Sequence, residues 1–257
     1  MVTSLAVAFG LLTTLRVPER AWRSSDTFGH AFAWFPLVGL VLGALVASAA
    51  LAMLVVLPAS VVAALVLALS VLLTGGLHLD GLMDACDGLF CVRSPEERLA
   101  IMCDSHVGAF GVLGAGCLLL VKFGALSALV ASPRDLLIAA LLLAPMLSRW
   151  AMAIAAVCFP YGRTGESLGS TFRRTAGPAQ LVAAMLIAFL SVPAICVVIH
   201  LRLSAGFTLF AGVAALTYGL ARFALTRLPG LTGDVYGAIN EVVEAAVLVA
   251  MTVHWRF

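Results

Sequence analysis

The sequence predicts an all-α, polytopic integral membrane protein of about seven transmembrane helices, preceded by a short N-terminal interfacial or re-entrant helix. Three observations carry that expectation. Of the 257 residues, 63% are hydrophobic and 11% charged, against a charged share of about 25% in soluble domains. Uncharged runs reach or approach the ~20 residues that cross a hydrocarbon core. The charges that remain fall mostly into four short segments on one side of the predicted spans.

The elements follow in order. Residues 1–15 are apolar but short for a span. They lack a basic leader and a small-residue cleavage site, so they read as an interfacial or re-entrant helix rather than a removed signal peptide. Residues 31–57, 59–77 and 179–199 are uncharged runs of spanning or near-spanning length. Three further runs each carry one cation: 107–131 around Lys122, 136–159 around Arg149 and 205–226 around Arg222. A seventh, 242–255, reaches spanning length only if its helix starts near Val235. No linker or soluble insertion interrupts the series, so residues 1–257 read as a single membrane-embedded domain.

Alternate threading places segments 16–30, 78–106, 160–178 and 227–241 together. They hold nine of the fifteen basic residues, while the opposite side holds Arg134, Arg202 and Arg256. The positive-inside rule makes the crowded side cytoplasmic. Of thirteen acidic residues only Asp135 lies on the far side. Acids have little topological reason to segregate, so their clustering points to one charged site at the membrane mouth. The six cysteines form no Cys-x-x-Cys pair, and their spacing to His78 and His106 matches no common zinc site. The net charge of +2 and the lack of a basic, aromatic-interleaved patch give no reason to expect a nucleic acid partner.

Within residues 75–90, GGLHLDGLMDACDGLF, helical geometry puts Asp80, Asp84 and Asp87 within an arc of roughly 60°. Clustered carboxylates repel unless a cation lies between them. Oxygen-only donors suit Mg²⁺ or Mn²⁺, with a phosphate-bearing substrate completing the shell. Ser94 to Glu97 reads as a capping box that starts a helix. Asp104 and Ser105 precede a span, with Gly108 and Gly111 following to admit a ligand or another helix. Residues 231–244, LTGDVYGAINEVVE, place Asp234, Glu241 and Glu244 on a second acidic stripe, so two acidic helices could face each other across a metal.

Lys122 and Arg149 lie inside spans, where a charge costs at least ~2.5 kcal/mol, so each is expected to meet an anionic partner: Asp234, Glu241 or a substrate phosphate. Arg163, Arg173 and Arg174 among glycines 162, 165 and 169 suit a diphosphate. His78, two residues before Asp80, is a candidate base or phosphate contact. Metal-binding acids, phosphate-binding cations and a site at the membrane mouth together suggest transfer of a phosphorylated group from a nucleotide-activated substrate.

Five blocks in order, FPLVGLVLG (35–43), GGLHLDGLMDACDGLF, Arg98 with IMCDSHVGAFG, Ser148-Arg149 and LTGDVYGAINEVVE, resemble the cobalamin synthase family, adenosylcobinamide-GDP ribazoletransferase, over nearly the whole chain. The resemblance implies a Mg²⁺-dependent, multi-pass enzyme of the bacterial inner membrane with its active site on the cytoplasmic side. The ribose 3′-hydroxyl of α-ribazole, or of its 5′-phosphate, would attack the phosphorus next to the cobinamide aminopropanol, and GMP would leave. Asp80, Asp84, Asp87, Asp234, Glu241 and Glu244 are then the expected metal ligands, and Asp104 or His78 the proton acceptor. Lys122, Arg149 and Arg163, with Arg98, Ser105 and Asn240, are the expected substrate-binding set. The partners implied are adenosylcobinamide-GDP, α-ribazole or its 5′-phosphate, and the lipid bilayer, with a homo-oligomer compatible with the sequence.

Two positions depart from the family pattern: Cys103 stands where Lys or Arg is usual, and the segment after Tyr161-Gly162-Arg163 runs on as TGESLG. The alternatives are a CDP-alcohol type phosphotransferase, whose motif opens Asp-x₂-Asp-Gly-x₂-Ala-Arg, a prenyltransferase, whose aspartate-rich motifs are more tightly spaced, and an ion-coupled transporter. The last would place acids near the bilayer midplane on two matching halves.

Overall fold

The computed structural model describes residues 2–22, 25–163 and 175–253. Among them every regular element is helical, apart from one isolated bridge between Tyr161 and Leu231. Helix α1 (Val2–Leu12) has 11 residues, too short to cross. It is tied to the bundle instead, since the Trp34 indole N–H donates to Ser4 Oγ at 3.2 Å and Thr14 N donates to Leu73 O at 2.9 Å. Val7, Ala8 and Leu12 bury its inner face.

After α2 (Ser25–Ala31), α3 (Phe35–Met53) continues into a first apolar span, Thr27–Met53 overall. Helices α4 (Ala59–Leu73) and α5 (Leu77–Phe90) are separated by an 87° bend. The expected span 59–77 therefore stops early, at Gly75 and Gly76, whose φ values of +62° and +71° only glycine adopts without strain. Gly76 N donates back to Val71 O at 3.0 Å, the bond that closes a Schellman-type helix end.

The short α6 (Pro95–Ile101) begins with the expected capping box: Glu97 N donates to Ser94 Oγ at 3.3 Å and Ser94 N to Glu97 Oε2 at 2.9 Å. Five spans follow: α7 (Ala109–Val130), α8 (Arg134–Cys158), α9 (Pro178–Val198), α10 (Leu203–Leu225) and α11 (Gly233–Thr252). Among the described residues six helices are thus long and apolar enough to cross a membrane, or seven with the bent α4–α5 pair. The last starts near Val235, as its length requires. The chain is a multi-pass membrane protein.

Helix α8 is the axis. In its most apolar stretch 78% of residues are buried, against 28% in α7, α9 and α10. Small residues let its neighbours approach. A Cβ on Gly39 would lie 2.2 Å from Pro145 O, and one on Gly43 2.2 Å from Leu141 O, so the Gly39-x₃-Gly43 stripe of α3 sits on the α8 backbone. Pro145 has no N–H to give Leu141 O, which leaves that carbonyl toward Gly43. A second close crossing joins α5 to α11. A Cβ on Gly81 would come within 3.1 Å of Asp234 Cα, and one on Gly237 within 3.1 Å of His78 O.

Candidate active site

The α5–α11 crossing brings the two acidic stripes together at one end of the bundle. Thr232 caps α11 by accepting from Val235 N at 3.3 Å, and its hydroxyl donates to Asp234 Oδ2 at 3.2 Å. The loop after α8 pairs with the loop before α11, Gly162 N donating to Leu231 O and Leu231 N to Pro160 O, each at 2.8 Å. Gly162 and Gly230 allow this contact, because a Cβ on either would strike the other's backbone. The pairing delivers Arg163, which donates from Nη2 to Asp234 Oδ2 at 2.7 Å and to Met102 O at 3.2 Å. Three of the four polar segments therefore meet here, as the sidedness of the acids implied. Arg173 and Arg174, with Gly165 and Gly169, lie outside the described residues.

Asp80, Asp84 and Asp234 form the outer cluster. Asp84 stands in the field of Asp234, Asp80 and Asp87, opposed by Arg163. Asp80, Asp234 and His78 line a cavity of about 240 Å³ beside Gly81 and Gly237. His78 is 1% exposed, and neither ring nitrogen has a hydrogen-bond partner.

Asp87 has another task within the same helix. Its carboxylate accepts from Gly108 N at 2.8 Å and Gly111 N at 2.9 Å, capping the start of α7. An acid is favourable there, where backbone N–H groups lack helical partners. Gly108 and Gly111 make room for this carboxylate, since a Cβ on either would fall within 2.5 Å of it.

Glu241 and Glu244, expected as metal ligands, point elsewhere. Lys122 Nζ donates to Glu241 Oε2 at 2.7 Å and to Glu244 Oε1 at 3.0 Å, and Arg149 Nη1 donates to Glu244 Oε2. Ser148 Oγ reaches Glu244 Oε2 at 3.4 Å, and Asn240 Nδ2 reaches Glu241 Oε1 at 3.5 Å. Lys122 and Arg149 are each 3% exposed. Two cations and two anions thus balance each other in the interior, so the glutamates have cationic partners already and the cations meet carboxylates rather than a diphosphate. Glu241 is the partner for Lys122 that the sequence allowed.

Arg98, expected to touch substrate, closes α5 instead. It donates from Nη1 to Gly88 O at 2.9 Å and Leu89 O at 2.7 Å, and from Nε to Arg93 O at 2.9 Å. Asp104 and Ser105 are exposed in the loop that leads into α7. Asp104 Oδ1 accepts from His106 N at 2.9 Å and lies 2.7 Å from His106 Nδ1. The His106 backbone N–H, then its ring, hold the Asp104 carboxyl below its ordinary 3.8. The cysteines form no disulfide. Sequence reasoning missed the caps made by Asp87 and Arg98, though Gly108-x₂-Gly111 opposite an acid was the available signal for the first.

Among the described residues no three His, Cys, Asp or Glu side chains converge closely enough to hold a metal alone. Mg²⁺ does not require it, since it is commonly held by one or two carboxylates plus substrate phosphates and water. The hard oxygen donors of Asp80, Asp84 and Asp234 fit that pattern, with the carboxylates in excess over Arg163.

The chain matches the family model described as Cobalamin-5-phosphate synthase over residues 4–252. It is 41% identical to the adenosylcobinamide-GDP ribazoletransferase of Desulfitobacterium hafniense (strain Y51) over 95% of this chain and 94% of that one. It is 36% identical to the enzyme of that name from Desulforamulus reducens, over 96% and 95% of the two chains. The Synechococcus elongatus enzyme of that name is 37% identical over 98% and 96%. No solved structure matches the chain. Matched from end to end by the family model and by full-length relatives, the chain belongs to the cobalamin-5-phosphate synthase family.

Proposed function

We propose that the chain is an adenosylcobinamide-GDP ribazoletransferase of cobalamin biosynthesis, working at the cytoplasmic face of a bacterial inner membrane. The observation that carries the site assignment is the outer cluster, where Asp80 and Asp234 line one cavity, Asp84 stands in the field of both, and Arg163 donates to Asp234. Mg²⁺ held there would neutralise the diphosphate and stabilise the departing nucleoside phosphate. Asp80, Asp84 and Asp234 would hold it. The Arg163 guanidinium, anchored on Asp234 and Met102 O, orients phosphate oxygens.

The reaction forms a bond between a ribose hydroxyl oxygen of α-ribazole, or of its 5′-phosphate, and the phosphorus next to the cobinamide aminopropanol. The bond from that phosphorus to the GMP oxygen breaks. The hydroxyl proton passes to His78 or Asp104. His78 is the better placed, because it lines the cavity with both nitrogens unengaged and a neutral imidazole has one acceptor nitrogen.

The test is GMP release by the purified, detergent-solubilised chain given adenosylcobinamide-GDP and α-ribazole, with and without Mg²⁺. Metal-dependent GMP release coupled to a cobalamin product is expected. Folded protein that yields neither would remove the assignment.

A further inference from the structure

The isolated bridge between Tyr161 and Leu231 is the one non-helical pairing among the described residues, and the chain on each side of it leads to the same atom. Two residues after Tyr161, Arg163 donates from Nη2 to Asp234 Oδ2 at 2.7 Å. One residue after Leu231, the Thr232 hydroxyl donates to that oxygen at 3.2 Å. Gly162 and Gly230 meet backbone to backbone within the bridge, so both donors are held to a common frame.

Thr232 is fully buried, and both capacities of its hydroxyl are in use. The oxygen accepts from Val235 N at 3.3 Å and caps α11, while the proton goes to Asp234. Capping alone does not require a hydroxyl. Asp and Asn cap a helix as well as Ser or Thr, and an ionised Asp would have no proton to donate. The bond to Asp234 is therefore the part of Thr232 that a cap leaves unexplained. Its effect falls on the carboxylate. Oδ2 takes two donors, and among the described residues Oδ1 takes none. The Asp234 side chain nevertheless keeps 20% of its surface exposed and lines the cavity that Asp80 also borders. Two bonds to one oxygen restrain rotation of the carboxylate and leave Oδ1 as the oxygen available to a ligand.

We propose that Thr232 is a positioning residue for the transfer: with Arg163 it occupies Asp234 Oδ2 and so reserves Oδ1 for the divalent cation. This rests on the transferase reading above and on the fit of Asp80, Asp84 and Asp234 to Mg²⁺. Thr232 acts only by holding one carboxylate in one orientation. The bridge that delivers it is then part of the frame of the active site, not merely a tie between two loops.

Thr232→Val removes both hydroxyl bonds at nearly constant volume, whereas Thr232→Ser keeps both. In detergent-solubilised full-length protein, Mn²⁺ binding without substrate is read from the electron paramagnetic resonance of the free ion. Thr232→Val should weaken it by about 10–100-fold, the usual loss when a partner of a metal-binding side chain is removed. The Mg²⁺ concentration for half-maximal GMP release should rise by a similar factor, and Thr232→Ser should restore both readouts. Ser94→Ala, which strips the cap of α6, controls for destabilisation. It should melt lower and leave both metal readouts at the parent's values.

The proposal is overturned if Thr232→Val melts lower but keeps the parent's metal dependence in the folded fraction, since Thr232 is then only a cap. It is also overturned if Thr232→Ser restores neither readout, or if Ser94→Ala shifts them equally. Should Thr232→Val not insert, Thr232→Gly decides by the same readouts, because glycine is tolerated at an N-cap and carries no hydroxyl. If the parent releases GMP but binds no Mn²⁺ on its own, the Mg²⁺ dependence decides. If the parent releases no GMP, the transferase reading fails and Mn²⁺ binding alone tests Thr232. A parent that does neither overturns both.

Discussion

Helix α11 carries acids at two depths, and the two sets end in opposite circumstances. Asp234, at its first turn, joins Asp80 and Asp84 in a group where, among the described residues, carboxylates outnumber the guanidinium of Arg163 that meets them. Glu241 and Glu244 lie up to ten residues further along, roughly 15 Å of helix rise, and each is matched by a buried cation. The balanced group can persist where water is excluded. The unbalanced group lacks that compensation among the described residues, and its cavity is the roomier of the two, about 240 Å³ against about 40 Å³ beside the inner group. On the proposed function, the difference separates charges that hold the bundle together from charges that serve the transfer.

The largest expected effect tests the inner group. Lys122→Met leaves Glu241 buried with only the long Asn240 contact and Glu244 with Arg149. Stripping one partner from a buried pair costs about 3–5 kcal/mol, read as a large fall in thermal stability in detergent. Adding Glu241→Gln removes the orphaned charge and should recover most of the loss. If Lys122→Met melts like the parent, the inner group is not structural and the contrast with the outer one dissolves.

The outer group should behave in the opposite way. Asp84→Asn relieves repulsion among Asp234, Asp80 and Asp87, so the melting temperature should hold or rise. GMP release should nevertheless fall by about 10²–10³-fold, the usual loss when an electrostatic stabiliser is removed. A variant that is less stable but fully active when folded would move Asp84 into the structural class.

Arg98 sharpens the same division at the far end of α5. Its bonds to Gly88, Leu89 and Arg93 carbonyls are charge-assisted, and Arg98→Ala should cost about 2 kcal/mol of stability. KM for both substrates should be unchanged in the folded fraction. A selective rise in KM for adenosylcobinamide-GDP would return Arg98 to the binding set.

The spans, the side on which the acids gather and the two acidic stripes, each on its own helix, were legible because they depend on local composition and on helical period, which a sequence carries openly. The capping box at Ser94 was legible for the same reason. The partners of Glu241, Glu244, Asp87 and Arg98 were not. Each carboxylate or guanidinium has the same chemistry whether it meets a metal, a phosphate, a lysine or a row of backbone groups. For Glu241 and Glu244 the partner is fixed by helix packing, Lys122 lying 119 positions from Glu241. For Asp87 and Arg98 it is fixed by how the chain turns between neighbouring helices, Gly108 lying 21 positions from Asp87 and Gly88 ten from Arg98, and helical spacing encodes neither. That Leu12 and Asp234 border one cavity was hidden as well, since only the fold brings them together.

Asp104 tests the division where it is weakest, at the exposed rim between the two behaviours. Its folded pKa lies below the ordinary 3.8 because of the His106 backbone N–H and ring. The stability this contributes is present above the ordinary value and lost as pH falls through the lower, folded one. Asparagine can still accept from His106 N through its carbonyl oxygen, so at pH 7 Asp104→Asn should melt close to the parent. The gap between the two proteins should close as the pH drops below about 4, the carboxylate range. Rates then decide between the two proton acceptors. If His78 takes the proton, Asp104→Asn should lose well under tenfold in GMP release, while His78→Ala loses about 10²–10⁴-fold, the range for a missing general base. If Asp104→Asn instead collapses the rate with its stability intact, the proton leaves through the rim, and charge balance alone does not sort structural from reactive groups in this fold.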